Sequence, residues 1–175
     1  VAHRCAVKAL NATKLRDNTE RAEAVANFER EAKLLSTLRH HSLPRVTDYF
    51  EEHGQHYLVM DLVEGESLDK ILDRRGRAPF PEKQVVEWAA ALCDVLTYLH
   101  SQHPPVIFRD LKPSNIMLQP DGSLKLIDFG IVRLFKPGAS KDTTSLGTPG
   151  YAPQEQYGKG QTDAKGVKTL MKQVG

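Results

Sequence analysis

Pro113 narrows what this chain can fold into more than any other residue. It lies inside VIFRDLKPSN, residues 106–115, and two short apolar runs, NIML and LKLI, follow around a Pro-Asp-Gly triplet. Proline has no N–H and fixes its own φ, so no helix interior runs through this stretch. A Pro-Asp-Gly triplet between apolar runs is a hairpin signal. An apolar strand, a polar loop and a hairpin are therefore expected in that order. The loop crowds Arg109, Asp110, Lys112 and Asn115 into seven positions, and loops that concentrate ionic and amide groups are where sites are built.

If residues 116–118 pair with 124–127 across a turn at Asp121 and Gly122, Asn115 and Asp128 stand side by side at the open mouth of the hairpin. Adjacent strands lie about 5 Å apart. An amide oxygen and a carboxylate at that separation both reach one hard cation, and Mg²⁺ is typically held by one or two carboxylates together with phosphate oxygens. Asp110, on the loop entering the hairpin, is then close enough to orient a nucleophile beside that metal. Polar-ended hairpins are common, so neither Asn115 nor Asp128 carries the case alone. The combination of RDLKPSN with IDFG at this spacing is what makes the pattern specific.

The rest of the chain is that of an ordinary globular protein. It has 175 residues, 40% of them hydrophobic and 26% charged, enough for one sizeable core or two small lobes. A formal net charge of +2 gives no case for nucleic acid. No apolar run approaches the ~18 residues of a membrane helix. Cys5 and Cys93 lack CxxC or Cys/His spacing, so two buried thiols in a reduced, cytoplasmic compartment are expected. Residues 3–10 read as a strand, and a helix runs from about Asp17, which has capping-box spacing to Glu20, to about Leu38. Residues 46–51 and 56–63 read as strands around Glu52, His53 and Gly54, and ESLDKIL as a short helix. From Pro81 to His100 the apolar residues Val85, Ala89, Leu92, Leu96 and Leu99 mark the clearest helix. Trp88 belongs to its core packing. After Ile131 the chain reads as loop up to Tyr157. His40 and His41 are adjacent in a loop with no evident third ligand, which favours a structural role over a metal.

The loop and hairpin motifs resemble the catalytic loop and metal-binding motif of protein kinases. That resemblance implies an α+β, protein-kinase-like bilobal fold. It implies that Asp110 is the catalytic base, that Asn115 and Asp128 hold Mg²⁺, and that Lys112 steadies the transferred phosphate. Lysine at this place followed by Pro-Ser is similar to serine/threonine rather than tyrosine kinases. Phe108 stands where the family usually has histidine, a change at a packing position that removes no catalytic group.

The resemblance also implies an early-strand lysine, supplied by Lys8, paired with a glutamate on the first helix. The residues single out Glu31 for that partner. Phe28, Glu31, Leu35 and Leu38 share one helical stripe, where a carboxylate is costly unless paired. Glu29 has Lys33 four residues on and belongs to the solvated face. YLVMDLVEGESL resembles the segment between kinase lobes, with Met60 lining the nucleotide pocket and backbone groups of Asp61 and Val63 bonding the base. Residues 128–155 resemble the activation segment, in which Thr143, Thr144 and Ser145 are phosphorylation candidates and Arg109 would pair with their phosphate. Thr148 resembles the threonine that touches the catalytic aspartate and lysine. In APQEQ, Glu155 rather than Gln154 stands for the family's usual glutamate.

The expected organisation is a partial kinase domain over 1–163, with an N-lobe part at about 1–60, a hinge at about 61–65, a C-lobe part at about 66–163 and a non-homologous tail at 164–175. The glycine-rich loop would precede Val1, and the family pattern stops after QTD, so an incomplete fold is expected. The leading reading is a fragment of a bacterial-type serine/threonine kinase that uses ATP and Mg²⁺ on protein hydroxyls, with autophosphorylation in trans and no nucleic-acid partner. The chain as given is expected to be nearly inactive, and any membrane anchoring of a parent protein would need a segment outside it. Two alternatives stand beside it. One is a truncated, inactive nucleotide-binding remnant, marginally folded. The other is a small-molecule kinase of related fold, which would not be expected to carry GTPGYAPQEQ.

Overall fold

The computed structural model describes residues 4–10, 17–108, 110–128 and 133–134. The chain divides into two compact units, Val1–Val63 and Glu64–Gly175. In the first unit, strand β1 (Cys5–Ala9), helix α1 (Asn18–Thr37) and strands β2 (Val46–Glu52) and β3 (Gln55–Asp61) form an antiparallel sheet of order β1-β3-β2 with one helix packed on it.

Why α1 starts where it does follows from Asp17, whose carboxylate accepts from the Thr19 N–H at 3.2 Å and satisfies one of the amides a helix start leaves unpaired. The side chain of Glu20, the other half of the expected capping box, lies outside the described residues. Phe28, Ala32 and Leu35 are buried along one face of α1, and Leu38 at its C-cap is buried as well. The β2–β3 connection is tighter than expected: Glu52 pairs with Gln55, which leaves only His53 and Gly54 as the turn. Both have positive φ, 52° and 73°, as a two-residue turn matching the strand twist requires.

In the second unit, β4 (Glu66–Ser67), β6 (Ile116–Leu118) and β7 (Leu124–Leu126) form one sheet in the order β4-β6-β7, and β5 (Val106–Ile107) pairs with β8 (Arg133–Leu134). Helix α2 (Leu68–Arg74) begins two residues later than the start of ESLDKIL, because Glu66 and Ser67 pair with β6 and the Ser67 hydroxyl then caps the helix at Lys70 N, 3.4 Å away. Helix α3 (Glu82–His100) buries Val85, Trp88, Leu92, Val95, Leu96 and Leu99. Trp88 meets Phe80 edge-on at 4.8 Å, and the Arg75 guanidinium covers the same Phe80 ring at 4.6 Å.

Two expectations fail. Residues 133–134 form a strand inside a segment read as loop, since a two-residue pairing leaves no period in the sequence. Both cysteines are exposed rather than buried. Cys5 lies on the outward-alternating positions of β1, and Cys93 lies off the buried stripe of α3.

Candidate active site

Strand β5 leads into the polar loop, whose described residues are tied by packing and hydrogen bonds. Val106, Ile107, Phe108 and Leu111 are all buried, Phe108 at 1% exposure. A large apolar side chain thus fills the position next to the loop's charged groups, in line with the packing role expected of it. Asp110 N–H donates back to the Phe108 carbonyl at 2.9 Å. Pro113 then opens a single 3₁₀ turn, Pro113–Asn115, where its missing N–H costs nothing. Asn115 N–H closes that turn on the Lys112 carbonyl at 2.9 Å.

The turn brings three of the singled-out side chains together. Lys112 Nζ lies 2.7 Å from Asp110 Oδ2. The Asn115 amide donates to the same Oδ2 at 3.0 Å and to the Asp110 carbonyl at 2.9 Å. One oxygen of Asp110 is therefore held by a cation and an amide, which fixes the orientation of the carboxylate. With Asn115 Nδ2 so committed, its Oδ1 points the other way. The residue is only 5% exposed, and among the described residues no donor reaches that oxygen. A buried carbonyl-type oxygen without a donor is costly in a protein and is offset when a cation binds it.

The expected hairpin is present. Ile116 faces Leu126, Leu118 faces Leu124, and Ile127 N–H donates to the Asn115 carbonyl at 2.9 Å, one step beyond the last paired residues. That bond carries the ladder to the mouth, where Asp128 follows as the next residue. Asp128 is exposed and has φ 62°, a left-handed conformation that aspartate tolerates better than most residues and that turns the chain out of the hairpin. An oxygen-only set, Asn115 Oδ1 with the Asp128 carboxylate, fits a hard divalent cation such as Mg²⁺.

In the first unit, Lys8 Nζ lies 3.2 Å from Glu31 Oε1, with side-chain exposures of 31% and 14%. Lys8 occupies the half-buried alternation of β1, and Glu31 sits beside the buried stripe of α1, so the pair forms across the helix–sheet junction. Met60 pairs with Ala6 on one side and Val46 on the other. The Asp61 N–H donates to the Arg45 carbonyl at 2.9 Å, so of its two backbone groups only the carbonyl suits contact with a base. Val63 is half-buried at the end of this unit.

A further cluster was not legible in the sequence. Glu29 is exposed, as expected of the solvated face, and there it accepts from the Tyr49 hydroxyl at 3.3 Å; that hydroxyl lies 2.7 Å from His56 Nδ1. Burial first, then the charge of Glu29, hold the Tyr49 phenol above its ordinary range. Only pairing across the strands brings Tyr49 near His56, and the local pattern gave no sign of it. Arg109, Thr143, Thr144, Ser145, Thr148 and Glu155 lie outside the described residues.

Comparison with known proteins bears on this arrangement directly. Residues 2–167 match the family model described as the protein kinase domain. Serine/threonine-protein kinase B of Synechocystis sp. is 39% identical over 140 residues, covering 74% of this chain and 24% of that protein. Serine/threonine-protein kinase PknA of Nostoc sp. is 37% identical over 163 residues, covering 87% of this chain and 28% of its own length. Mouse serine/threonine-protein kinase Nek1 is 34% identical over 149 residues, 85% of this chain and 12% of that protein. The chain thus spans between an eighth and about a quarter of the length of these relatives. Among the described residues no helix is long and apolar enough to cross a membrane.

Proposed function

This chain belongs to the protein kinase domain family, and from that premise we propose that it transfers the γ-phosphate of ATP to serine and threonine hydroxyls of proteins. Kinases of this family use ATP with Mg²⁺. The observation that carries the reading is the Asp110 carboxylate, held on one oxygen by Lys112 and Asn115 at the mouth of the β6–β7 hairpin.

In this reading Asp110 orients the substrate hydroxyl and accepts its proton as the new phosphorus–oxygen bond forms and the bond from the γ-phosphorus to the bridging oxygen breaks, releasing ADP. Lys112, beside it, carries positive charge toward the transferred phosphate. Asn115 and Asp128 hold Mg²⁺, which when bound neutralises phosphate charge. Lys8, steadied by Glu31, holds the α- and β-phosphates, and the Asp61 carbonyl and Val63 backbone meet the adenine next to Met60. The protein's contribution is therefore mainly positioning and charge stabilisation. Residues 1–60 and 66–163 serve as the two kinase lobes joined by a hinge at 61–65, with 164–175 outside them. Phosphorylation of Thr143, Thr144 or Ser145, by a second copy acting in trans, raises activity through Arg109, while Thr148 and Glu155 shape the substrate-binding segment. A nucleoside triphosphate donor sets the reaction in the cytoplasm.

The test is incubation with γ-labelled ATP, Mg²⁺ and a generic basic protein, followed by identification of the phosphorylated amino acids. Label on serine and threonine is expected. Label confined to tyrosine or to a small-molecule acceptor would overturn the reading.

A further inference from the structure

Glu29 and Glu31 stand two positions apart on α1, roughly 200° around the helix at 3.6 residues per turn. Each reaches a different strand of the sheet. Glu31 meets Lys8 on β1 and Glu29 meets Tyr49 on β2, the two outer strands in the order β1-β3-β2. His56 on the central β3 backs Tyr49 at 2.7 Å and is itself buried at 6% exposure. The helix is thus held on both sides of its contact line, by the part-buried Glu31–Lys8 pair and by the solvent-exposed Glu29–Tyr49 bond, with Phe28, Ala32 and Leu35 buried along that face.

We propose that Tyr49, held by His56 and Glu29, is a positioning residue that fixes the rotation of α1 about its axis so that Glu31 meets Lys8. A phenol has one proton and a carboxylate only accepts, so with Tyr49 donating to Glu29 it is the His56 tautomer carrying Nδ1–H that donates to the Tyr49 oxygen. The chain of donors ends on a charge, which strengthens each bond in it. The raised Tyr49 pKa is consistent with a hydroxyl that keeps the proton it donates. Apolar packing alone resists rotation poorly, because buried aliphatic and aromatic groups are non-directional partners. Two polar grips on opposite sides supply the direction: turning α1 enough to free Glu29 moves Glu31 off Lys8 as well.

This inference rests on the reading that the Lys8–Glu31 pair serves the nucleotide, and the experiment separates the two. Tyr49→Phe removes only the hydroxyl and keeps the ring that packs 6.0 Å from Phe28. Phosphate transfer is measured for Tyr49→Phe, Glu31→Gln and the double variant, with Glu29→Gln as the variant that retains an acceptor. Tyr49→Phe is expected to lower kcat/KM about threefold to tenfold, as loss of one such bond allows. In the Glu31→Gln background it is expected to change kcat/KM no further while still lowering the urea midpoint, and Glu29→Gln is expected to keep most of the activity that Glu29→Ala loses. Equal kcat/KM losses in both backgrounds, or no loss in either, overturn the positioning role. If Lys8→Met leaves transfer untouched, the nucleotide reading fails instead. The grip on α1 is then judged by amide exchange along α1, which Tyr49→Phe must accelerate about threefold to tenfold for the proposal to stand.

Discussion

At the scale of single residues, what could be read in advance was whatever had a cost attached to it. Glu31 was legible because a carboxylate on an apolar stripe needs a partner, and the structure gives it Lys8 at 3.2 Å. The exposure of Cys5 and Cys93 has no such signal, because thiols carry no comparable cost when exposed and burial statistics have nothing local to act on. Gly65 carries no such sign in the sequence, although among the described glycines its position is the most demanding. It has φ 119°, and a Cβ there would lie 2.1 Å from the Leu118 carbonyl oxygen, just before β4 begins its pairing with β6. That oxygen belongs to backbone and cannot swing aside. Gly65→Ala is therefore expected to destabilise the second unit by at least ~1–3 kcal/mol, the usual cost of a strained backbone position. A urea titration should show a lower midpoint at unchanged slope; an unchanged midpoint would mean that the chain reroutes around Gly65 without cost.

Elements were legible in proportion to their length and to the chemistry of their ends. Helix α3 showed its 3.6-residue period over 19 residues, and α1 showed its N-cap. The two-residue strands β4, β5 and β8 exist only as pairings with distant partners, so no periodicity could reveal their extent. The β6–β7 hairpin is the exception among short elements, because its turn carries its own signal. Gly122 N–H bonds the Gln119 carbonyl at 2.9 Å, Gly122 has φ 85°, and the Asp121 carboxylate accepts from both the Ser123 hydroxyl, at 2.7 Å, and the Ser123 N–H, at 2.9 Å. The Ser123 hydroxyl first, then the Ser123 backbone N–H, hold the Asp121 carboxyl below its ordinary range.

A lowered folded pKa means that the carboxylate's contribution is fully present above the ordinary aspartate range and is lost as pH falls through the lowered value. Amide protection in the 119–123 turn is expected to hold from neutral pH down to the acid limb and then fall, and Asp121→Ala is expected to lose it at neutral pH already. Protection in Asp121→Ala equal to that of the unmodified chain across this range would show that Gly122 and the strand pairing define the turn without the carboxylate. Because this hairpin carries Asn115 and Asp128 at its mouth, the same variant is also expected to weaken the response of phosphate transfer to Mg²⁺.

Across the whole molecule, the proposed chemistry is divided between two units with separate folds. One contributes the Lys8–Glu31 pair from a helix on a sheet, and the other contributes Asp110, Lys112 and Asn115 from a loop and a hairpin. The motifs made the Asp110–Lys112–Asn115 side legible because each of its residues is close to the others in sequence. The Glu29–Tyr49–His56 cluster was not legible because its three members come from three elements. Membership of the protein kinase family accounts for the loop and hairpin together, and the central claim is that Asp110 acts on the acceptor hydroxyl while other residues bind the nucleotide. Its most direct test is Asp110→Asn, assayed in parallel for phosphate transfer and for binding of Mg·ATP. The substitution keeps the shape of the side chain and removes the base, so transfer is expected to fall about 10²- to 10⁴-fold with binding changed only slightly. Undiminished transfer, or a loss of binding that matches the loss of transfer, would contradict the assignment of Asp110.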